Sequence, residues 1–244
     1  MAQVINTNVA ALFAGAALNK SAIGLQTAQE RLSSGLRINS AKDDATGLGI
    51  ATNYDKQIRG TRIAINNAND AVSKAQTNDG YAAQIHENLK RLFEIAVQLG
   101  GVASGAESDA LIAENTRIRG LTAAATATTV DGNGTQVTGA SAVIGALASE
   151  GAGANRTVAN FTADINTVTT ARANYGADMV RFGSAVATMQ TEAVNLAQSF
   201  SRIMDTDYAA ETASQARNNI LQQAGTAVLA QANQNPNTVL SLLR

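Results

Sequence analysis

Few residues of this chain could carry out a reaction. The sequence has a single histidine, His86, and no cysteine, so it offers one imidazole and no thiol as base, nucleophile or metal ligand. His86 falls on or beside an apolar seam between Ala82 and Leu89, where packing or partial exposure to water is expected. The sequence therefore predicts that the protein is not an enzyme.

Two groups of carboxylates could bind a hard cation by residue type alone. Asp43 and Asp44 form one group, and Asp205 and Asp207 form the other. Each group lies where a helix start or joint is expected, and neither has the spacing of a calcium loop, so we interpret both as helix caps. Gly47-Leu48-Gly49 lacks the strand-to-helix context of a phosphate loop. No metal and no cofactor are predicted.

The composition is typical of closely packed helices. Hydrophobic residues make up 45% of the 244 residues, much of this alanine, whereas aromatic residues make up 4% and Pro236 is the one proline. Small side chains let helices approach closely, and the scarcity of proline permits long helices. The net charge of -1 gives no basic surface for nucleic acid, and no apolar run reaches the roughly 20 residues of a membrane span.

The N-terminal half predicts two long helices. The first covers residues 3 to 33, and Gly35 is expected to cap its C-terminus while Ser40 with Asp43 caps the next helix. The apolar positions of this first helix recur every seven residues, at Val4, Ala11, Leu18, Leu25 and Leu32. The apolar run from Val9 to Leu18 follows no Lys or Arg, so we do not expect a cleaved secretion signal.

The second helix is predicted over about residues 41 to 99, with its apolar residues in 4,3 steps. They are Tyr54, Ile58, Ile65, Ala68, Val72 and Ala75, with Thr61 filling a gap, and then Ile85, Leu89, Leu92, Ala96 and Leu99. Asn78-Asp79-Gly80 between the two sets predicts a shift of phase inside the helix.

The middle of the chain has a different texture. A shorter helix carrying Leu111, Ile118, Leu121 and Ala125 is followed by a glycine-rich stretch with two hairpin-turn signals, Asp131-Gly132 and Asn133-Gly134. Short strands are expected at Thr126, at 128–130 and at 136–138. We expect residues 128–158 to form a β-hairpin and loop region.

The strongest pattern runs from Phe161 to Ile203. It begins with Phe161, Ile165, Val168, Arg172 and Tyr175, and continues through the bundle seam Met179, Phe182, Val186, Met189, Ala193, Leu196, Phe200 and Ile203. The unbroken 4,3 alternation indicates a coiled coil. Its helix would be about 64 Å long, longer than the roughly 46 Å diameter of a globule of this chain length, so an elongated molecule is expected.

The C-terminal stretch carries another stripe, which starts after the break at Asp205-Thr206-Asp207. Its members are Ala209, Ala213, Ala216, Ile220, Ala224 and Ala227. We expect this stripe to pair with the N-terminal helix, through a candidate assembly seam of Leu18, Leu25, Leu32, Ile220, Val228 and Leu229. The predicted domains are 1–42 with 205–244, and 43–204. The predicted fold class is mainly α, an elongated bundle or coiled coil of long antiparallel helices with a small β-hairpin.

Three segments closely resemble bacterial flagellins. They are the opening MAQVINTN (1–8), the run RLSSGLRINSAKDDA (31–45), and the ending ILQQAGTAVLAQANQ (220–234) that runs on to LSLLR (240–244). The resemblance covers roughly the first hundred and the last seventy residues. It implies a self-assembling subunit of the flagellar filament, in which the paired terminal helices line the inner tube and the thicker bundle forms the outer tube. The central segment is so short that the large outer domains of many flagellins look absent.

The resemblance also implies partners and a location. These are other copies of the chain, an export chaperone at the C-terminal helix, and the filament cap and hook-junction proteins, with secretion through the flagellar channel without a cleaved signal. The alternative, a hook-associated junction protein, shares versions of the joint at Leu32 to Asp44 but not the C-terminal ending.

Flagellins that activate the vertebrate Toll-like receptor for flagellin imply one more site. Their contact segment aligns with LKRLFEIAVQ (89–98), which places the contact arginine at Arg91, its leucine at Ile95, and the nearest matching glutamate at Glu114. Phe93 replaces a second arginine of that motif. An ordinary solvated or inter-subunit role for Arg91 is the alternative.

Overall fold

A computed structural model describes residues 7–122, 128–130, 136–139, 144–151 and 156–241. Its elements in chain order are the helices α1 (Val9–Ser34), α2 (Ala45–Gln98) and α3 (Ala106–Leu121), the strands β1 (Thr128–Val130) and β2 (Gln136–Thr138), a 3-10 helix (Ala148–Glu150), and the helices α4 (Val158–Met204) and α5 (Tyr208–Ser241). The predicted mainly α fold with one small hairpin is confirmed. Val4, Ala125, Thr126 and the two Xaa-Gly turns lie outside the described residues.

The chain divides into two compact units. The terminal unit comprises Met1–Tyr54 and Gln198–Arg244, and the middle unit comprises Asp55–Ala197. This division falls within α2 and α4, and the domain boundaries expected at 42/43 and 204/205 stay a prediction.

The core of the middle unit is built from three helices. Its main apolar cluster joins α2, α3 and α4 with the segment before the 3-10 helix, and its largest fully buried side chains are Ile85, Leu89, Leu92, Ile144, Phe161, Val168 and Tyr175. A second cluster sets Phe182 and Met189 of α4 against Ala64, Ala68 and Ala71 of α2, and Val137 of β2 packs on it. The antiparallel hairpin, with Thr129 opposite Val137, therefore covers part of the helix pair.

The buried positions of α2 keep one phase without a break. From Thr61 onward they are Thr61, Ala64, Ala68, Ala71, Ala75, Asn78, Ala82, Ile85, Leu89, Leu92 and Ala96, and Asn88 and Ile95 are buried beside this row. The phase shift predicted at 78–80 is wrong, because Asn78 is buried in step with its neighbours. Ile65 and Val72 lie partly buried at the flank, since the larger Phe182 and Met189 need alanine opposite them. Leu99 is 54% exposed and lies outside the seam.

The described seam of α4 includes two buried carboxylates. Phe182 and Met189 are buried, whereas Met179, Val186, Leu196, Phe200 and Ile203 are partly buried. Asp164 and Asp178 are buried beside Ile165 and Met179. The carboxylate of Asp164 accepts the N–H groups of Ala148 and Ser149, each at 2.8 Å, and so caps the 3-10 helix. These hydrogen bonds offset the cost of burying the polar oxygens of Asp164.

Helix ends are capped as expected in two places and differently in a third. Gly35 adopts φ 72° at the end of α1 and donates its N–H to the Arg31 carbonyl at 2.8 Å. The carboxylate of Asp207 accepts the N–H of Ala209 and so caps α5.

The cap of α2 is Asp44 rather than the predicted pair of Ser40 and Asp43. An Asp44 oxygen accepts the Gly47 N–H at 2.8 Å. Asp43 instead accepts the N–H groups of Asn39 and Ser40 and the Ser40 hydroxyl, which closes a separate turn before the helix. These hydrogen bonds, led by the Ser40 N–H, lower the pKa of Asp43.

Candidate functional site

Small and polar side chains join α1 and α5 in the terminal unit. The buried residues of α1 are Ala14, Ser21 and Ala28. A Cβ at Gly24 would lie 2.9 Å from the Asn218 amide nitrogen, and one at Gly225 would lie 3.1 Å from Leu18 Cδ1. Glycine at these two positions therefore lets the helices approach closely.

The face of α5 that meets α1 differs from the predicted one. Every member of the predicted stripe (Ala209, Ala213, Ala216, Ile220, Ala224 and Ala227) is exposed. Up to residue 234 the buried and partly buried positions are instead Glu211, Ser214, Gln215, Asn218, Gln222, Gly225, Leu229 and Ala232, and apart from Gln215 they also step by three and four. The expected pairing through the apolar stripe is corrected, because the contacts of Gly24 with Asn218 and of Gly225 with Leu18 set another face of α5 against α1.

Two sequence signals could have identified the correct face. Gly225 interrupts an otherwise alanine-rich helix, as expected at a close approach. Glu211 lies one turn into α5 and pairs with Arg31 of α1 at 3.7 Å. Both signals are weaker in the sequence than the regular alanine spacing that suggested the other face.

The residues of the candidate assembly seam divide between the two faces. Leu18, Leu25 and Leu32 of α1 and Leu229 of α5 are partly buried. Ile220 and Val228 of α5 are 65% and 57% exposed, and Val228 lines an open groove beside α1. The structure therefore brings together only part of this set within one chain.

The terminal unit exposes many large apolar side chains. On α1 these are Val9, Leu12, Phe13 and Ile23, and Phe13 is 78% exposed. On α5 they are Ile220, Leu221 and Val228. Monomeric proteins seldom expose so many apolar side chains together, and such surfaces usually mark contacts with other proteins.

An open groove of about 760 Å³ runs between α1 and α5. Its walls include Ala10, Phe13, Leu18, Leu221 and Val228. Because its walls are formed by the sides of two helices and are almost entirely apolar, its shape suits another helix.

Arg91 of α2 is bound to acidic residues on two helices. Its Nε donates to Glu107 of α3 at 2.9 Å, and its Nη1 donates to Glu94 at 3.3 Å. The hydrogen bond to Glu107 is the main reason that the pKa of Arg91 is raised. The side chain remains 52% exposed, so part of the guanidinium faces water.

The structure does not gather the other two expected receptor contacts around Arg91. Ile95 is 7% exposed and belongs to the main apolar cluster. Glu114 is bound to Arg117 at 2.6 Å, and this hydrogen bond lowers the pKa of Glu114. Glu107, which the sequence analysis did not single out, is the glutamate of the next helix that reaches Arg91.

His86 and the carboxylates show no arrangement suited to catalysis among the described residues. His86 is partly buried, and its buried Nδ1 has no hydrogen-bond partner there. Burial is the main cause of its lowered pKa, and the charge of Lys90 adds to it. Within the same described ranges, no group of three or more His, Cys, Asp or Glu side chains could hold a metal ion.

These features define a class of protein. Long helices carry a terminal pair whose apolar surface is left uncovered, as expected of a subunit that associates with other protein helices.

Two family models match the chain. The bacterial flagellin N-terminal helical region matches residues 5–141, and the bacterial flagellin C-terminal helical region matches residues 158–243. Since these matches cover most of the sequence, the chain belongs to the bacterial flagellin family.

Curated relatives agree with this assignment. The flagellin of Xenorhabdus nematophila is 36% identical over 314 aligned positions that cover 100% of both chains. The flagellin of Salmonella muenchen is 52% identical over 118 residues, which are 48% of this chain and 23% of the relative. The phase 2 flagellin of Salmonella typhimurium is 51% identical over 118 residues, with the same shares. The match thus spans about a quarter of the length of these Salmonella relatives.

Of the helices in the described ranges, none combines the length and apolar character needed to cross a membrane.

Proposed function

We propose that this chain is the structural subunit of a bacterial flagellar filament, an extracellular helical polymer used for swimming. The observation that supports this function is the uncovered stripe of α5 from Ala209 to Ala227, together with Val228 and the exposed Phe13 and Ile23 of α1. Copies that cover one another's apolar surfaces through contacts between different faces form an open helical polymer when the rotation between neighbours does not close a ring.

The same proposal includes the steps before assembly. The chain leaves the cell through the flagellar secretion channel, and an export chaperone binds α5 on the way. The exposed apolar face of α5 supports this role for a chaperone, because that face would otherwise meet water until the subunit assembles. Filament cap and hook-junction proteins are further proposed partners. The families and relatives named above are flagellins, so no observation favours a hook-junction protein.

A single charge in the stripe tests the proposal. Ile220 is 65% exposed, so Ile220→Asp removes little packing within the monomer. We expect the variant to keep the helix content and melting temperature of the wild type but to lose polymerisation on flagellar seeds, because a carboxylate would be buried between subunits. Sedimentation and electron microscopy measure the polymer.

Asn219→Asp is the matched control, since it adds the same charge to the neighbouring exposed position about 100° around the helix. It should polymerise. Filaments of Ile220→Asp as abundant as those of Asn219→Asp would remove the stripe from the interface. Wild-type protein that never elongates flagellar seeds would contradict the filament function itself.

Recognition by the vertebrate Toll-like receptor for flagellin is a second proposal, centred on Arg91. The partial exposure of its guanidinium supports this, whereas the burial of Ile95 leaves little of that side chain for a partner.

A further inference from the structure

The two linkers of the terminal unit pair with each other. Leu36 and Asp205 form an antiparallel bridge. The Arg37 N–H donates to the Met204 carbonyl at 2.6 Å, and the Thr206 N–H donates to the Gly35 carbonyl at 3.0 Å. We call this paired segment, residues 35–37 with 203–206, the linker clasp.

Arg37 adds side-chain hydrogen bonds to the clasp. Its Nε and Nη2 both donate to the Ile203 carbonyl, at 3.2 and 2.8 Å. That carbonyl belongs to the last turn of α4, where it has no partner within the helix and where a positive charge is favoured by the helix dipole. Arg37 therefore fastens the linker that follows α1 to the end of α4.

The clasp lies on a small apolar cluster of the terminal unit. Ile38, Ala51 and Met204 are between 1% and 7% exposed, and Leu36, Phe200 and Ile203 pack against them. By contrast, the buried residues of α1 are two alanines and a serine. The clasp thus combines backbone pairing with a core that the helix pair lacks.

The clasp and the helix pair follow one antiparallel register. Gly24 lies twelve residues before Leu36, and its contact Asn218 lies thirteen residues after Asp205. Leu18 lies six residues before Gly24, and its contact Gly225 lies seven residues after Asn218. At the far end the Asn8 amide donates to the Ala232 carbonyl at 2.8 Å. A pairing that begins at the clasp therefore brings both glycines to their close contacts.

Within the helix pair this register is marked by a few contacts, those of Gly24 with Asn218, of Gly225 with Leu18 and of Arg31 with Glu211. The buried residues of α1 are two alanines and a serine, whose side chains are small. We infer that the linker clasp sets the register of α1 on α5, with Arg37 as the positioning residue. One consequence rests on the proposed filament function. A fixed register places the exposed stripe of α5 at the same position along α1 in every subunit.

Disulfide trapping measures the register directly. The chain has no cysteine, so an introduced pair forms a defined bond. A Cβ at Gly225 would lie 3.9 Å from Leu18 Cβ, which suits a disulfide. Leu18→Cys with Gly225→Cys reports the observed register, and Leu18→Cys with Leu229→Cys reports a slip of about one turn. Each pair is placed in the full chain and oxidised mildly, and the two disulfide yields are compared as a ratio.

The ratio of the two disulfide yields is measured in three variants, Arg37→Ala, Arg37→Pro and the control Arg202→Ala. Arg37→Pro also removes the backbone N–H that Arg37 donates to Met204. Arg202 is exposed and its side chain donates to Ser199 within α4. We expect the ratio to fall about tenfold for Arg37→Pro, the change that one or two lost hydrogen bonds would cause, and less for Arg37→Ala. All chains are compared in the same state, filament or soluble.

A ratio in Arg37→Pro equal to that in Arg202→Ala would overturn the inference. If circular dichroism shows that Arg37→Pro has lost helix, the disulfide ratio of Arg37→Ala is compared with that of Arg202→Ala instead, and equal ratios would again overturn the inference. Sedimentation of the wild type on flagellar seeds reports the filament function separately. A wild type that fails to polymerise while the ratio still falls in the Arg37 variants would contradict the filament function and leave the clasp standing.

Discussion

Gly47 and Gly49 lie in the first turns of α2 and should respond to alanine in opposite directions. A Cβ at Gly47 would lie 2.8 Å from Ile38 Cδ1 and closer still to the Asp44 carboxylate that caps the helix, whereas nothing lies within 4 Å of a Cβ at Gly49. Ile38 is 2% exposed and has little room to move. We expect Gly47→Ala to lower the free energy of unfolding by about 1–3 kcal/mol, and Gly49→Ala to raise it by about 0.5–1 kcal/mol because alanine favours the helix.

Urea unfolding followed by circular dichroism measures both changes. Each variant serves as the control for the other, since they differ only in what surrounds the added methyl group. Equal shifts in the same direction would show that the contacts of Gly47 with Ile38 and Asp44 do not restrict that position.

His86 should make stability depend on pH in a narrow window. Its pKa is lowered in the folded protein, mainly because it is partly buried, so the unfolded chain binds the proton more readily. Its contribution is fully present above the ordinary pKa of 6.5 and is lost as pH falls below that value. Since the chain has no other histidine and no cysteine, this window reports His86 almost alone.

We therefore expect the melting temperature of the wild type to fall between pH 7.5 and 5.5 by more than that of His86→Gln. Thermal unfolding at several pH values measures the difference. Parallel curves for the two proteins would show that the environment of His86 does not disfavour its charge.

At the scale of the helix, Phe182 tests the α4 seam. It is 1% exposed and fills the space over Ala64, Ala68 and Ala71 of α2. Phe182→Ala should lower the free energy of unfolding by about 3–5 kcal/mol, the usual cost of such a cavity. Val180→Ala, on the same helix at 73% exposure, should change it by less than about 0.5 kcal/mol. Thermal and urea unfolding measure both, and equal values would mean that Phe182 is not in the core.

Sequence spacing predicted which segments are helical but not which of two adjacent apolar residues points inward. The α4 pattern located Phe182 and Met189, because large side chains recur there without competitors. In α2 the choice between Ala64 and Ile65, or Ala71 and Val72, depends on the size of the α4 side chains opposite. A single sequence does not show which α4 side chains lie opposite these α2 positions. Asp164 escaped prediction for a related reason, since its partners are the backbone N–H groups of a distant 3-10 helix.

For the whole molecule, the sequence identified the two terminal segments as partners but assigned the wrong face of α5. A regular alanine stripe and a small polar stripe run along the same helix, and hydrophobicity alone favours the alanine one. Close approach reverses the choice, because Gly225 and Asn218 allow contact with α1 that Ile220 would prevent. The stripe that hydrophobicity favoured is thereby left exposed, which is where we propose that neighbouring subunits bind.

Recognition of the molecule by the flagellin receptor is tested by comparing Arg91 with its neighbour Lys90. Arg91→Ala removes exposed hydrogen bonds to Glu107 and Glu94, and Lys90→Ala removes an exposed pair with Glu87, so both variants should keep the wild-type melting temperature. In a cell reporter assay for the receptor, we expect a wild-type signal weaker than that of flagellins with the full motif, since Phe93 replaces an arginine. Arg91→Ala should lose this signal, because the guanidinium makes directional charge-assisted hydrogen bonds, while Lys90→Ala retains it. Identical signals from the wild type and both variants would remove Arg91 from the receptor site and favour an ordinary surface role for its bond to Glu107.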